Sequence, residues 1–160
     1  MLSIKIICVG KLKELYFNDA VIEYWKRLTS YCRLEIEEIP ESRHPENPSQ
    51  AEIHAALLKE AEGIERRIPR GALVVALSIE GKELDSIQMA KFIQLCAVQG
   101  KNRICFIIGG SRGLHGRIKA RADVNLSMSK MTFPHHLARV MLLEQLYRSF
   151  KIAEGSKYHK

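Results

Sequence analysis

Two runs of apolar residues constrain this chain more than anything else in it: residues 72–78 (ALVVALS) and residues 103–108 (RICFII). A strand with one face in water alternates apolar and polar side chains. A run without that alternation needs cover on both faces, as in the centre of a parallel sheet. The flanking sequence supplies two more strands and the cover. Residues 3–9 form a short apolar run closed by Gly10, and Leu34, Ile36 and Ile39 suggest another strand. Leu15 to about Tyr31 has helical spacing, with Leu15, Val21, Ile22, Trp25 and Leu28 as its apolar stripe. The Pro-rich, polar stretch 40–48 predicts a surface loop.

Helix boundaries are marked by chemistry. Ser49 with Glu52 matches a capping box, so a helix is expected from there to about Ile68, stopped by Pro69-Arg70-Gly71. Ser86 is expected to cap a helix reaching Gln99. After the second apolar run come a glycine-rich turn, a short basic helix and a brief strand over 124–128. Pro134 is then expected in the first turn of a long helix ending near Ile152. Strands alternating with helices predict an α/β fold, a parallel sheet with helices on both faces. No repeat, low-complexity tract or linker interrupts the sequence, so one domain is expected over residues 1–160.

Composition narrows the function. No apolar run approaches the roughly 20 residues that span a bilayer, so a soluble cytoplasmic protein with no membrane partner is expected. Cys8, Cys32, Cys96 and Cys105 lie far apart without metal-ligand spacing, as small buried hydrophobes of a reducing compartment would. The net charge of +7 is skewed: residues 1–100 hold 13 Lys/Arg against 15 Asp/Glu, and residues 101–160 hold 12 against 3. That skew points to a polyanionic partner such as RNA, met by the C-terminal third.

Three segments carry candidate chemistry. The turn Gly109-Gly110-Ser111-Arg112-Gly113-Leu114-His115-Gly116 follows a strand, where parallel sheets bind ligands. It lacks the dinucleotide fingerprint and the Gly-Lys-Ser/Thr phosphate loop, and glycines serving only a tight turn remain an alternative. The loop Ser127-Met128-Ser129-Lys130-Met131-Thr132-Phe133-Pro134-His135-His136 joins a strand to the long helix, whose free N–H groups suit a carboxylate. Adjacent histidines on a helix diverge by about 100°, so no metal is expected there. The tail ends in Tyr158-His159-Lys160. It is either a mobile terminus or a base held against a polyanion. The long helix carries Arg139 and more apolar surface than one stripe, enough for a sheet and a second subunit or simply for deep burial.

Together, Val9-Gly10-Lys11-Leu12-Lys13, Phe106-Ile107-Ile108-Gly109-Gly110, Ser129-Lys130-Met131-Thr132-Phe133-Pro134-His135, Glu144-Gln145-Leu146-Tyr147-Arg148 and Tyr158-His159-Lys160 resemble the ribosomal RNA large-subunit methyltransferase H family over the whole chain. The resemblance implies a SPOUT fold with a C-terminal trefoil knot, a threading that general connection rules would not suggest. It further implies a homodimer, S-adenosylmethionine as cofactor, and methylation of N3 of a pseudouridine in 23S ribosomal RNA of the 70S ribosome. Carried over by position, the cofactor-binding residues would be Leu77, Gly109, Met128, Ser129, Lys130, Met131, Thr132 and Phe133. Lys160 stands where the family often has Arg, keeping the charge but losing the planar fork. For the chemistry, His159 is the expected base or proton relay, Tyr158 would orient the pseudouridine, and Lys160 or Arg139 would stabilise its anion. A non-catalytic ribosome-binding or assembly factor is the alternative. A nucleotide-dependent oxidoreductase is disfavoured by the missing fingerprint.

Overall fold

The structure, a computed structural model, describes residues 1–160 as five strands and five helices in alternation. The strands are β1 (Leu2–Val9), β2 (Cys32–Ile39), β3 (Leu73–Glu83), β4 (Arg103–Ile108) and β5 (Val124–Ser127). All pair parallel, in the order β2-β1-β4-β3-β5. The two apolar runs are therefore neighbours inside the sheet, as their lack of alternation demands. Phe106 and Cys105 of β4 are both fully buried, one against each face.

The helices are α1 (Leu15–Leu28), α2 (Gln50–Glu65), α3 (Ser86–Val98), α4 (Gly116–Arg121) and α5 (His135–Ala153). Strand residues sort by parity between two cores. Ile4, Ile6, Cys8, Phe106 and Ile108 pack with α1, α3 and α5, whereas Ile7, Val9, Cys105 and Ile107 pack with α2 and α4. All four cysteines are free and buried, and burial pushes the Cys8 and Cys105 thiols up to about 12, which leaves them unreactive. No helix is long and apolar enough to cross a membrane.

Several local expectations are corrected. Of the α1 stripe, only Val21 and Leu28 are buried, while Leu15, Ile22 and Trp25 stand exposed. The face turned inward is Phe17, Val21, Tyr24 and Leu28, spaced by three and four, because aromatic rings reach α5 across the groove. The helix stops at Leu28 rather than near Tyr31, and Thr29 closes it by donating its hydroxyl to Lys26 O at 2.6 Å. Asp85, not Ser86, caps α3: it accepts from Gln88 N at 2.7 Å while Gln88 accepts from Asp85 N at 2.8 Å. Ser86 is freed to bond Gln145 of α5 at 2.7 Å. Pro134 sits just before α5 as its N-cap residue, so His135 opens the helix. The capping box of Ser49 and Glu52 forms as read.

The largest departure is β3, which runs to Glu83 instead of ending near Ser78. Both Leu77 and Lys82 pair with Leu126 of β5, so residues 78–81 arch between them. Gly81 lies so close to β5 that a Cβ there would meet Asn125 O at 2.6 Å. Beyond β5 the chain changes sides of the molecule. α5 begins beside Gly10, with the His135 ring 3.1 Å from where a Gly10 Cβ would stand, and returns packed against α1 and α3. Residues 128–134 therefore cross the carboxyl ends of β3 and β4.

Gly81→Ala should cost about 1–3 kcal/mol by forcing β5 away from the arch. Gly116→Ala, at the first position of α4 with open space around it, should be neutral or mildly stabilising. Urea denaturation of the two variants checks the contrast.

Candidate functional site

The crossing segment leaves a cavity of about 740 Å³ beyond the strand ends. Its walls are residues 77–80 of β3, the turn after β4, Lys119 of α4, the crossing loop, and His135 and Ala138 of α5. Seven of the eight residues expected to hold a ligand line it: Leu77, Gly109, Met128, Ser129, Met131, Thr132 and Phe133. Lys130 does not, and is exposed. The crossing loop is shaped by its own hydroxyls. Ser127 Oγ lies 3.0 Å from Ile79 O and 2.9 Å from Ser129 O, and Ser129 Oγ accepts from Met131 N at 3.0 Å. Met131 is left 74% exposed at the mouth, an apolar side chain in water with no partner in its own chain.

Glycine at 109 is demanded by the turn itself. A Cβ there would stand 2.5 Å from Gly113 O, because the turn folds back through a bridge between Gly110 and Gly113. Among the lining residues Glu80 is the one acid, ion-paired with Lys119; that bond holds its carboxyl down at about 2, so it stays ionised. His135 is pushed below the ordinary histidine value by burial, then by the neighbouring His136, and so presents a neutral ring to the cavity.

Two acids that sequence reading missed pin the site from outside. Glu41, just past β2, accepts from Ser111 N at 3.1 Å and Ser111 Oγ at 2.6 Å, fixing the glycine-rich turn. Glu38 accepts from Leu12 N at 2.9 Å and from Arg139 Nη1 at 2.8 Å. Partial burial opposes ionisation of both carboxyls, but these hydrogen bonds outweigh it and hold each below the ordinary carboxylate value. Neither acid belongs to a motif; their partners are 70 and 101 residues away.

Arg139 is placed differently from the expected anion-stabilising role. It is only 2% exposed, donates its second nitrogen to Gly10 O at 3.2 Å, and is absent from the cavity wall. The guanidinium is spent on joining α5 to β1 and β2.

The tail is ordered, and it docks on the middle of α5. His159 Nδ1 lies 3.1 Å from Arg148 Nη1, and Tyr158 donates its hydroxyl to Glu144 Oε1 at 3.3 Å. Arg148 is itself held by Glu144 at 2.7 Å and lies over the Tyr158 ring at 4.9 Å. Burial, then the Glu144 charge, raises the Tyr158 hydroxyl above its ordinary value. An arginine can only donate, so the His159 Nδ1 lone pair is occupied and a neutral ring carries its proton on Nε2. Neither Tyr158 nor His159 lines the cavity of its own chain. No group of three or more His, Cys, Asp or Glu is gathered as metal ligands would be.

Because Glu38 and Glu41 titrate lower when folded, their stabilisation is full above the unfolded carboxyl value and is lost as pH falls through the folded values. Glu38→Gln should cost roughly 2–4 kcal/mol at neutral pH, since it strands the buried Arg139 guanidinium. Glu41→Gln, on an exposed side chain, should cost only about 1 kcal/mol. Both should flatten the acid limb of stability against pH, measured by denaturant titration from about pH 3 to 7.

Comparison with known proteins agrees with this architecture. Residues 2–159 match the family described as "Predicted SPOUT methyltransferase". A Methanococcus vannielii protein, provisionally named ribosomal RNA large subunit methyltransferase H, is 52% identical over 99% of this chain and 100% of its own. The ribosomal RNA large subunit methyltransferase H of Streptococcus uberis is 47% identical over the same shares. Among solved structures, a Haemophilus influenzae protein described as of a probable methylase family superposes with a TM-score of 0.57 at 14% identity. The match covers all of this chain and 72% of that one, and shows the fold alone. The chain belongs to the SPOUT methyltransferase family.

Proposed function

We propose that this protein, a single SPOUT domain over residues 1–160, methylates N3 of a pseudouridine in 23S ribosomal RNA. It would act as a homodimer on the assembled 70S ribosome in the cytoplasm. The observation that carries the reading is the cavity at the strand ends, walled by Leu77, Gly109 and the crossing loop in a chain of this family. The relatives at about half identity named for large-subunit ribosomal RNA supply the substrate class.

The cavity's residues fit S-adenosylmethionine, the cofactor. Its volume is in the range of cofactor pockets. Leu77, Met128 and Phe133 offer apolar walls for an adenine, and the uncapped start of α5 offers free N–H groups for a carboxylate. Ionised Glu80 is already paired with Lys119, so orientation of the ligand falls to the apolar walls and the backbone donors. When bound, the cofactor supplies a methyl group already activated on a sulfonium. What remains for the chain is to align N3 and remove its imide proton.

His159 is the base or relay in this reading, Tyr158 stacks on or orients the pseudouridine, and Lys160 steadies the imidate or a phosphate. Arg139 takes no direct part, being buried in its ion pair. Since the tail and the cavity of one chain do not meet, the reading needs the tail of one protomer to serve its partner's cavity. Half-buried Val140, Met141 and Tyr147 of α5, beside a groove of about 500 Å³ between α1, α3 and α5, give a second copy a surface to cover. The trefoil threading belongs to the same reading, and the arch of residues 78–81 tied to Ser127 is the loop that the crossing segment would pass.

His159→Ala should abolish methylation of 70S ribosomes while leaving cofactor affinity, read by calorimetry, unchanged. Near-normal turnover of that variant would remove His159 from the mechanism. Mass spectrometry of 23S RNA after incubation with labelled cofactor tests the activity as a whole. No mass gain on active 70S ribosomes, with ribosome association retained, would favour the assembly-factor reading. An isolated RNA stem-loop should be a poor substrate.

A further inference from the structure

The opposite end of the sheet carries a feature that the activity does not use. Arg33, Arg70, Arg103 and Arg121 lie at its amino-terminal rim, on the side covered by α2 and α4. Register places the first pair: Ser3 of β1 is flanked by Arg33 on β2 and Arg103 on β4. Arg103 donates to Arg70 O at 3.2 Å, which holds its guanidinium over the turn before β3. Arg121 ends α4, and Asp123, two residues on, accepts from Val74 N at the start of β3, which sets Arg121 at the same end.

All four arginines are exposed, and none is in an ion pair. The nearby acids are engaged elsewhere. Asp123 accepts from Val74 N at 2.8 Å, Glu65 pairs with Arg117 at 2.7 Å and Glu35 with Lys5 at 3.3 Å. Guanidiniums at one end with no carboxylate paired to them repel one another, a cost that an anionic partner relieves. Their planar forks match the two oxygens of a phosphate, which lysine ammoniums do not.

We infer that this arginine rim is a second RNA-binding surface, gripping the phosphodiester backbone of ribosomal RNA at the end of the domain remote from the methyl-transfer cavity. The inference rests on the RNA-methylating reading above. Contacts at both ends of the sheet make the partner large, because a short stem-loop filling the cavity would leave the rim empty. Two of the four arginines, Arg33 and Arg70, come from residues 1–100, whose net charge is negative.

The test is the triple variant Arg33→Ala/Arg70→Ala/Arg121→Ala, whose side chains make no hydrogen bond or ion pair that folding would miss. Sedimentation of the protein with 70S ribosomes across a salt series, and methylation kinetics, are the readouts. Ribosome affinity should fall at least tenfold, and the slope of log affinity against log salt should shrink by about one per arginine removed. The KM for ribosomes should rise with kcat and cofactor affinity unchanged, and the triple Lys variant should recover most of the salt slope. Wild-type affinity and slope in the Ala variant would overturn the rim while leaving the methyltransferase reading intact. If the wild-type protein methylates no ribosome, that reading fails, and the sedimentation contrast still decides whether the rim binds RNA.

Discussion

Arg139 is 2% exposed, and its guanidinium reaches Glu38 at 2.8 Å and Gly10 O at 3.2 Å. Those two partners close β2 and β1 at their carboxyl ends, so the contact fixes where α5 must begin. β5 lies at the far edge of the sheet, beside β3. A chain leaving that edge and held to start a helix at β1 has one short route, across the ends of β3 and β4. The cavity is the space beneath that route. The ion pair therefore sets the site's existence without touching a ligand, and a buried guanidinium tolerates loss of its carboxylate poorly.

The two ends of the sheet are chemically opposite. At the carboxyl end, glycines, short hydroxyl side chains and backbone edges line a concave, open-mouthed space, with Glu80 ionised beside Lys119. At the amino end the side chains are long, cationic and turned to water. A parallel sheet produces this polarity as a matter of course, because its loops divide into two unlike sets. Close-approach chemistry belongs where the strands diverge. Grip on an extended polyanion needs no enclosure, only reach and charge.

What could be read from sequence was governed by range. The apolar runs of β3 and β4 and the box of Ser49 with Glu52 are each defined within a few residues and form as read, although β3 continues to Glu83; the segments carrying seven of the eight expected ligand positions meet at one cavity. Errors arose where a local signal had two readings. Asp85 and Ser86 are both good caps, and the outcome turned on Gln88, three residues after Asp85, and on Gln145 of α5, which takes the serine. The roles of Arg139 and Glu41 depend on partners 70 or more residues distant, beyond any spacing rule. The rim was hidden for a different reason. Averaging charge over residues 1–100 cancels Arg33 and Arg70 against acids that the fold pairs with other residues.

In the proposed mechanism, the docked tail holds its base in reserve. Arg148 occupies the Nδ1 lone pair of His159 and stacks on Tyr158, while Glu144 anchors both Arg148 and the tyrosine hydroxyl. In that arrangement the neutral imidazole has no free lone pair with which to take a proton. A base at this position therefore needs Arg148 drawn away, and the natural competitor for a guanidinium is a phosphate, which binds it bidentately. An RNA backbone arriving at α5 would satisfy Arg148, release Nδ1 and leave the ring poised to accept the imide proton. Proton acceptance would then be coupled to the presence of substrate by one hydrogen bond exchanged for another.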